Sequence, residues 1–399
     1  MPLVYNPTQN HVSEVLIVGG GPVGLFGALC AAKRGLAVTV LDRGFRGYSR
    51  GHATLLHPAT LRLMSEYGLN GKLLAAGRAI GRVELRLDDD FWATLDLPSP
   101  ALTVAQSAFE EILLKALQTE DVEIESPWEA TSLVQTSDGV DVHATRRELV
   151  PFGSPTLSKD WQPVESSQIH ARFVIGADGR ESSVRSSLGI ETLTAGEREK
   201  FAMFEGRRAM PREDFALSFS NGLASVALPL SGEAGRWGFQ IAEDSKLVPN
   251  LEQLRTLLEE RASFEPELPD ELHWSTVTHF DRRLARRFGH GRVWLAGDAA
   301  HVTSPFGGQS VNGGLLEVHE LVETMASCLR ANGALAELDQ ISARREREWH
   351  KLLGIESHLE VRPGLAAPLT RYAHRILPAL PASGRDLQYL LSQLGYVSY

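Results

Sequence analysis

The chain has 399 residues, with 50 acidic and 40 basic side chains, a net charge of −10, 43% hydrophobic residues and two cysteines. The acidic balance gives no electrostatic drive toward nucleic acid, and two cysteines cannot build a disulfide framework. The length admits two or three substructures with cores of their own.

The first element is "EVLIVGGGPVGLFGALCAAKRG", Glu14 to Gly35. Its uncharged stretch, Val15 to Ala32, is long enough for a membrane span. The cluster Gly19-Gly20-Gly21-Pro22 with Gly24 instead breaks a β-branched run from a helix-compatible one. "LAVTVLDR" then reads as a second strand ending in Asp42. The resulting strand–turn–helix–strand carries Gly19-x-Gly21-x-x-Gly24 with an acid eighteen residues on. Gly19 allows a sharp turn, Gly21 admits a pyrophosphate close to the backbone, and Gly24 lets helix and strand pack. Asp42 is placed to accept hydrogen bonds from an adenosine ribose.

The following loop, "RGFRGYSRGHATLLH", is rich in glycine and arginine. Pro58 opens a helix that Gly68 stops. "VELRLDDDFWATLDL" alternates like a hairpin. Ser107-x-x-Glu110 has the form of a capping box before "AFEEILLKALQ". Strands with an Asp138-Gly139 turn follow, and the prolines of residues 150–168 suggest a loop. Residues 200–280 read as strand-rich with one helix near 251–262. From about 312 onward the pattern is mostly helical. Cys30 and Cys328 lie in apolar helical patterns and are expected to be buried thiols in a reducing cytoplasm. There is no zinc spacing, so no metal site is expected, and no other segment is apolar enough to span a bilayer.

Two further motifs carry chemistry. In "FVIGADGRESSVRSSLGI" a buried strand ends at Asp178-Gly179, where a carboxylate can stand beside a ligand with little steric hindrance. Arg185, in the following helix, is expected to pair with Asp178 or to hold a phosphate. In "GRVWLAGDAAHVTSPFGGQSVNGG" a strand stops at Gly297-Asp298. Pro305 and Gly307-Gly308 then set a turn before a helix that begins near Val311. The open amides of that helix start favour negative charge in front of them. Asp298 is placed to bond a sugar-alcohol chain.

These three motifs, in this order, resemble the class A, para-hydroxybenzoate hydroxylase-like, flavoprotein monooxygenases over roughly residues 14–330. The resemblance implies an α/β fold. A Rossmann-like FAD-binding domain, discontinuous over 12–200 and 286–330, would carry an inserted, mainly substrate-binding sheet at 201–285 and a helical C-terminal segment at 331–399. It implies a cofactor site of Gly19, Gly21, Pro22, Val23, Gly24, Asp42, Arg43, Arg50, Gln106, Asp178, Gly179, Gly297, Asp298, Pro305, Gly308, Gln309, Ser310, Val311 and Asn312. FAD would be held without a covalent bond. NADPH or NADH would dock transiently as reductant, since the chain has no second glycine fingerprint. Dioxygen (O2) would add to the reduced flavin to give a C4a-hydroperoxide, which hydroxylates an aromatic or similarly electron-rich small molecule. A flavin-dependent halogenase, an FAD-dependent reductase and a flavin-binding protein without turnover are the rival readings. The family's usual Gly-Gln-Gly-x-Asn turn reads Gly308-Gln309-Ser310-Val311-Asn312 here. Its Asp-Ala-x-Asn-Leu helix reads Glu317-Val318-His319-Glu320-Leu321. A monomer or homodimer is expected, with no nucleic-acid partner and no integral membrane association. Alternation puts Trp237 and Phe239 on one face of a strand, as part of the substrate pocket or of the core. His52, His57 and His301 flank the expected flavin and read as hydrogen-bonded structural residues. No catalytic base emerges from the sequence.

Overall fold

A computed structural model of the chain describes residues 12–44, 53–88, 91–120, 122–152, 158–207, 214–262, 268–304, 306–331, 335–355, 360–361 and 364–398. The opening apolar run divides into the strand Val12–Val18 and the helix Pro22–Lys33. Pro22 begins that helix, where its missing N–H costs nothing. Gly24 to Ala31 are buried without a break, as befits a helix apolar on all sides. Against the helix Gln309–Ala331 the approach is so close that a Cβ on Gly27 would stand 2.5 Å from Val318 Cγ2. This enclosure, rather than lipid, accounts for the long apolar stretch. Among the described residues no helix is long and apolar enough to cross a membrane.

The nucleotide-type sheet has Val12–Val18 in its middle. Val38–Leu41 and then Glu123–Glu125 run parallel on one side, and Ser158–Gly176 and then Val293–Leu295 run parallel on the other. Val15, Leu16 and Ile17 are fully buried, each worth roughly 1.5–3 kcal/mol of burial free energy for an aliphatic side chain of this size. Strands diverge on either side of Val12–Val18, which opens a crevice at their carboxyl ends.

The second large sheet runs in the order Glu271–Phe280, Glu199–Arg207, Ala234–Ile241, Leu223–Pro229, Phe215–Ser220, Arg78–Leu87, Phe91–Ala105, Ala53–Leu56. It thus draws on residues 53–105 as well as on the strand-rich stretch expected near 200–280. One face carries Phe204, Trp237, Phe239 and Ile241 against the helix Leu251–Arg261. The opposite face carries Phe201, Met203 and Val226, and meets Phe306 of the third motif. The helix Ala367–Ala379 closes part of that face, with Tyr372 stacked on Phe219 at 5.4 Å.

Three local expectations are corrected. Most of residues 150–168 belong to strands, not a loop: Val140–Phe152 and Ser158–Gly176 form a long antiparallel hairpin. The Ser107/Glu110 capping box does not form. The helix starts at Gln106, its N-cap is Ala105 without a side-chain bond, and Glu110 accepts from Gln106 Nε2 at 2.8 Å instead. The third-motif helix starts at Gln309 rather than near Val311.

Candidate cofactor site

A cleft of about 290 Å³ opens at the carboxyl ends of the first sheet. The glycine turn, Asp42 and Arg43, Gln106 and Glu110, and Asp178 with Gly179 all line it. The first and second motifs therefore meet, as the resemblance implied. The glycines have distinct duties. A Cβ on Gly24 would lie 1.9 Å from Gly19 O, and one on Gly19, whose φ is +114°, would lie 2.2 Å from Ala177 O. A Cβ on Gly21 would meet nothing within 4 Å. Gly19 and Gly24 thus hold backbone against backbone, while Gly21 fronts the cleft. Gly21→Ala is expected to keep the native melting temperature and lose FAD affinity. Gly24→Ala is expected to lose the fold. Thermal melts and flavin-fluorescence titration of the two variants check this contrast.

Asp178 is anchored through one carboxylate oxygen. Oδ2 accepts from Ser183 N at 2.7 Å, Ser183 Oγ at 3.0 Å and Val184 N at 3.2 Å. Oδ1 is buried and has no hydrogen-bond partner among the described residues. The Arg185 guanidinium donates to Ala299 O and Arg180 O, both at 2.8 Å, rather than to the Asp178 carboxylate. Carbonyl oxygens of the second and third motifs are thereby tied to one side chain, in place of the expected hydrogen-bonded pairing with Asp178.

In the third motif, Gly297 has φ +62°, and a Cβ there would stand 3.0 Å from Val23 Cγ2. Solvent reaches Asp298, yet protein surrounds it closely. That enclosure pushes its carboxyl above the usual carboxylate range, against the pull of His301 and Arg180. The two observations fit a carboxylate at the wall of a recess. Gln309 Nε2 donates to Leu380 O and Ala382 O at 2.8 and 3.1 Å. Asn312 Nδ2 donates to Leu55 O and Gly308 O, and its Oδ1 accepts from His57 N at 2.7 Å. These two side chains therefore shape the turn. Ser310 Oγ accepts from Thr303 N at 3.0 Å, so the hydroxyl that replaces the usual glycine has a partner in the loop. Val311 packs partly buried in the adjoining core.

His57 is fully buried and donates from Nε2 to Gly307 O at 2.6 Å. Burial lowers its pKa to about 4, partly offset by that bond. It is a neutral, structural histidine. His301 is 1% exposed and bonds Glu317 Oε2 at 2.7 Å, with Trp349 stacked on it at 3.7 Å. Glu317 also accepts from Trp349 Nε1 at 2.7 Å and from Gly297 N at 3.3 Å. Neither Glu317 nor Trp349 was foreseen as a support of the site. The departure of Glu317 from the usual aspartate was the one signal that pointed there.

Trp237 and Phe239 are each 1% exposed and pack with the helix Leu251–Arg261, on the face turned away from Phe306. They are core residues, the second of the two readings the alternation left open. Arg50, His52 and Pro305 lie outside the described residues. Among the described residues no cluster has the donors for a metal ion.

The site has the donors that FAD requires. A glycine turn and a helix start with no acidic residue in its first turn face the cleft, Asp42 lies along it, and a buried carboxylate oxygen of Asp178 lacks a partner among the described residues. These features define a dinucleotide-binding flavoprotein fold. A family model described as an FAD binding domain matches residues 12–353. The chain belongs to the class A FAD-binding monooxygenase family. Among curated relatives, it is 27% identical over 350 residues to a 6-methylpretetramide 4-monooxygenase of Streptomyces rimosus, covering 85% of this chain and 60% of that one. It is 27% identical over 356 residues to a para-nitrophenol 4-monooxygenase of a Pseudomonas species, covering 84% and 82%. The chain spans less than two thirds of the length of the first of these. A p-nitrophenol 4-monooxygenase structure from Pseudomonas putida superposes with a TM-score of 0.72 at 21% identity, over 97% of each chain. An aklavinone-11 hydroxylase structure superposes with a TM-score of 0.67 at 22% identity, over 87% of this chain and 68% of that one. Both likenesses concern the fold.

Proposed function

We propose that this protein is an FAD-dependent monooxygenase that uses NAD(P)H and dioxygen to hydroxylate an aromatic or similarly electron-rich small molecule. The observation that carries the reading is the assembly, within a family match over residues 12–353, of the first two flavoprotein motifs around one cleft, with the third tied to the second through Arg185 and packed against Val23 of the first. Bound FAD supplies the redox and oxygen-transfer chemistry. The protein's part is to bind, orient and keep water out. Gly21 and the amides of the helix Pro22–Lys33 would take the pyrophosphate, Asp42 the adenosine ribose, and Asp298 the ribityl chain. Arg50 is assigned to the phosphates by resemblance alone.

The turn Gly307–Asn312 would face the ring, and its shape is fixed from outside by His57, Leu55, Leu380 and Ala382. Preset geometry of this kind lowers the entropic part of the barrier. Phe306, packed edge-on against Phe201 at 4.7 Å, puts apolar surface between that turn and the second sheet, which excludes water. Residues 12–200 and 286–330 would form the FAD-binding domain, with 201–285 as the main part of the substrate sheet and 331–399 as the C-terminal segment. The same reading has the enzyme in the cytoplasm, as monomer or homodimer, and two buried thiols outside any disulfide agree with a reducing compartment.

The purified protein is expected to be yellow and to release FAD on acid precipitation. Flavin left in the pellet, or FMN in solution, contradicts non-covalent FAD. With a panel of phenols, NAD(P)H and isotopically labelled dioxygen, mass spectrometry is expected to find one labelled oxygen atom in the product. NAD(P)H oxidation with no labelled product across the panel contradicts the monooxygenase reading.

A further inference from the structure

The face of the second sheet that meets the third motif is apolar at Phe201, Met203, Val226 and Leu228. The strand register adds two charged residues to it. Met203 pairs with Gly238, and Glu205 pairs with Arg236 one step further along the same face. Arg236 Nη2 donates to Glu205 Oε2 at 2.5 Å, and the two side chains are 9% and 23% exposed. Trp274, opposite Glu205 on the neighbouring strand, lies 5.8 Å from the Arg236 guanidinium. The ladder slips in register immediately after Glu205, between it and Gly206. Gly206 is fixed in kind, since a Cβ there would lie 2.2 Å from Glu271 O. Bulges of this sort re-aim a side chain and gather beside active sites.

Gly238 sits against Phe306, where a Cβ would be 2.9 Å from Phe306 Cε1. The charged pair therefore lies one pair along the sheet from the loop that leads into the third-motif turn. Burying an ion pair among apolar side chains is a poor way to add stability, because apolar replacements are often as stable or more so. The more accessible member is the carboxylate. One carboxylate offers about four lone-pair sites, so Glu205 can hold Arg236 and accept a further hydrogen bond at the same time.

We propose that Glu205, held by Arg236, is the substrate-recognising residue of this face and accepts the hydroxyl hydrogen of an uncharged phenol. The assignment rests on the monooxygenase reading and gives it a substrate class. A partly exposed carboxylate edge suits a hydroxyl donor and opposes a carboxylate, which Glu205 repels. A phenolic O–H donating into a carboxylate also enriches the ring carbons ortho and para to it, where an electrophilic oxygen attacks.

The test uses the FAD-loaded enzyme and two probes with the same ring, 4-methylphenol and 4-methylbenzoate, each titrated against the flavin difference spectrum. Wild-type enzyme is expected to bind the phenol and discriminate against the benzoate. In Glu205→Gln the phenol is expected to weaken by about tenfold or more, as when a hydrogen bond to a charged group is lost. The benzoate is expected to gain, because the carboxylate that repels it is then gone. The double variant Glu205→Leu with Arg236→Met removes both members of the pair. It is expected to keep its melting temperature and its FAD, and to lose phenol binding. Phenol and benzoate affinities unchanged in both variants overturn the assignment and leave the monooxygenase reading standing. No flavin perturbation by either probe in the wild-type enzyme overturns the aromatic-substrate reading together with the assignment.

Discussion

Glu317→Ala is expected to cost about 3 kcal/mol or more of folding stability, since each buried donor left without its acceptor costs roughly 1–3 kcal/mol. That is a large share of the roughly 5–15 kcal/mol that holds a domain folded. The carboxylate is 2% exposed and serves His301, Trp349 and the Gly297 amide together. Its loss strands all three donors in a dry interior. Burial alone raises the Glu317 carboxyl, but the His301 charge and hydrogen bond, with Arg345 and Trp349, more than offset this and hold its pKa below the ordinary value. A carboxyl held low in the folded state contributes stability that is fully present above its unfolded pKa. The contribution disappears as pH falls through the folded value. Urea denaturation across the acid range is therefore expected to show a steep limb in the wild-type protein that is shallower in Glu317→Gln. Identical limbs would remove Glu317 from the account.

Asp298→Ala is expected to behave in the opposite sense. FAD affinity falls by about tenfold or more, the loss typical of a hydrogen bond to a charged group, while the apoprotein stays as stable or becomes more so. The reason is the enclosure that raises the Asp298 carboxyl. A carboxyl whose folded pKa is raised detracts from stability above that pKa, and the deficit is relieved as pH falls. Removing it therefore takes away a cost to the apoprotein. Flavin-fluorescence titration and apoprotein melts on the same sample separate the two effects. An unchanged FAD dissociation constant would sink the ribityl assignment.

The glycine turn, Asp42 and the strands that lead into all three motifs were legible because their signals are local. A β-branched run, a glycine that needs positive φ and an acid at fixed spacing need no tertiary context. The hairpin over Val140–Phe152 and Ser158–Gly176 was hidden by its prolines. Pro163 stands opposite Arg147, next to a register shift between Arg146 and Arg147, where a residue without an N–H is tolerated. The Ser107/Glu110 pattern misled because Gln106 competes for Glu110 four residues on. Alternation correctly grouped Trp237 with Phe239, but periodicity cannot say which face of a sheet meets which partner. The Glu205–Arg236 pair was invisible for the same reason, since it exists only through the register of two strands. His301 was rightly read as structural, although its partner Glu317 lies beyond the intervening turn, in the first half of the helix Gln309–Ala331.

The parallel pairing of Val293–Leu295 with Val174–Gly176 also bears on synthesis of the chain. The wall of the flavin crevice beyond Ser158–Gly176 is supplied by residues that leave the ribosome only after the whole second sheet's strands have been made. Closing so long a loop is entropically slow, and parallel pairing of distant strands is slow for the same reason. During translation the nascent protein therefore waits with the Val174–Gly176 end of the strand Ser158–Gly176 unpaired on one edge, beyond the hairpin with Val140–Phe152, a surface that invites foreign strands. Chaperone demand and aggregation during expression would be set by this interval, and flavin could lock the sheet only after it ends.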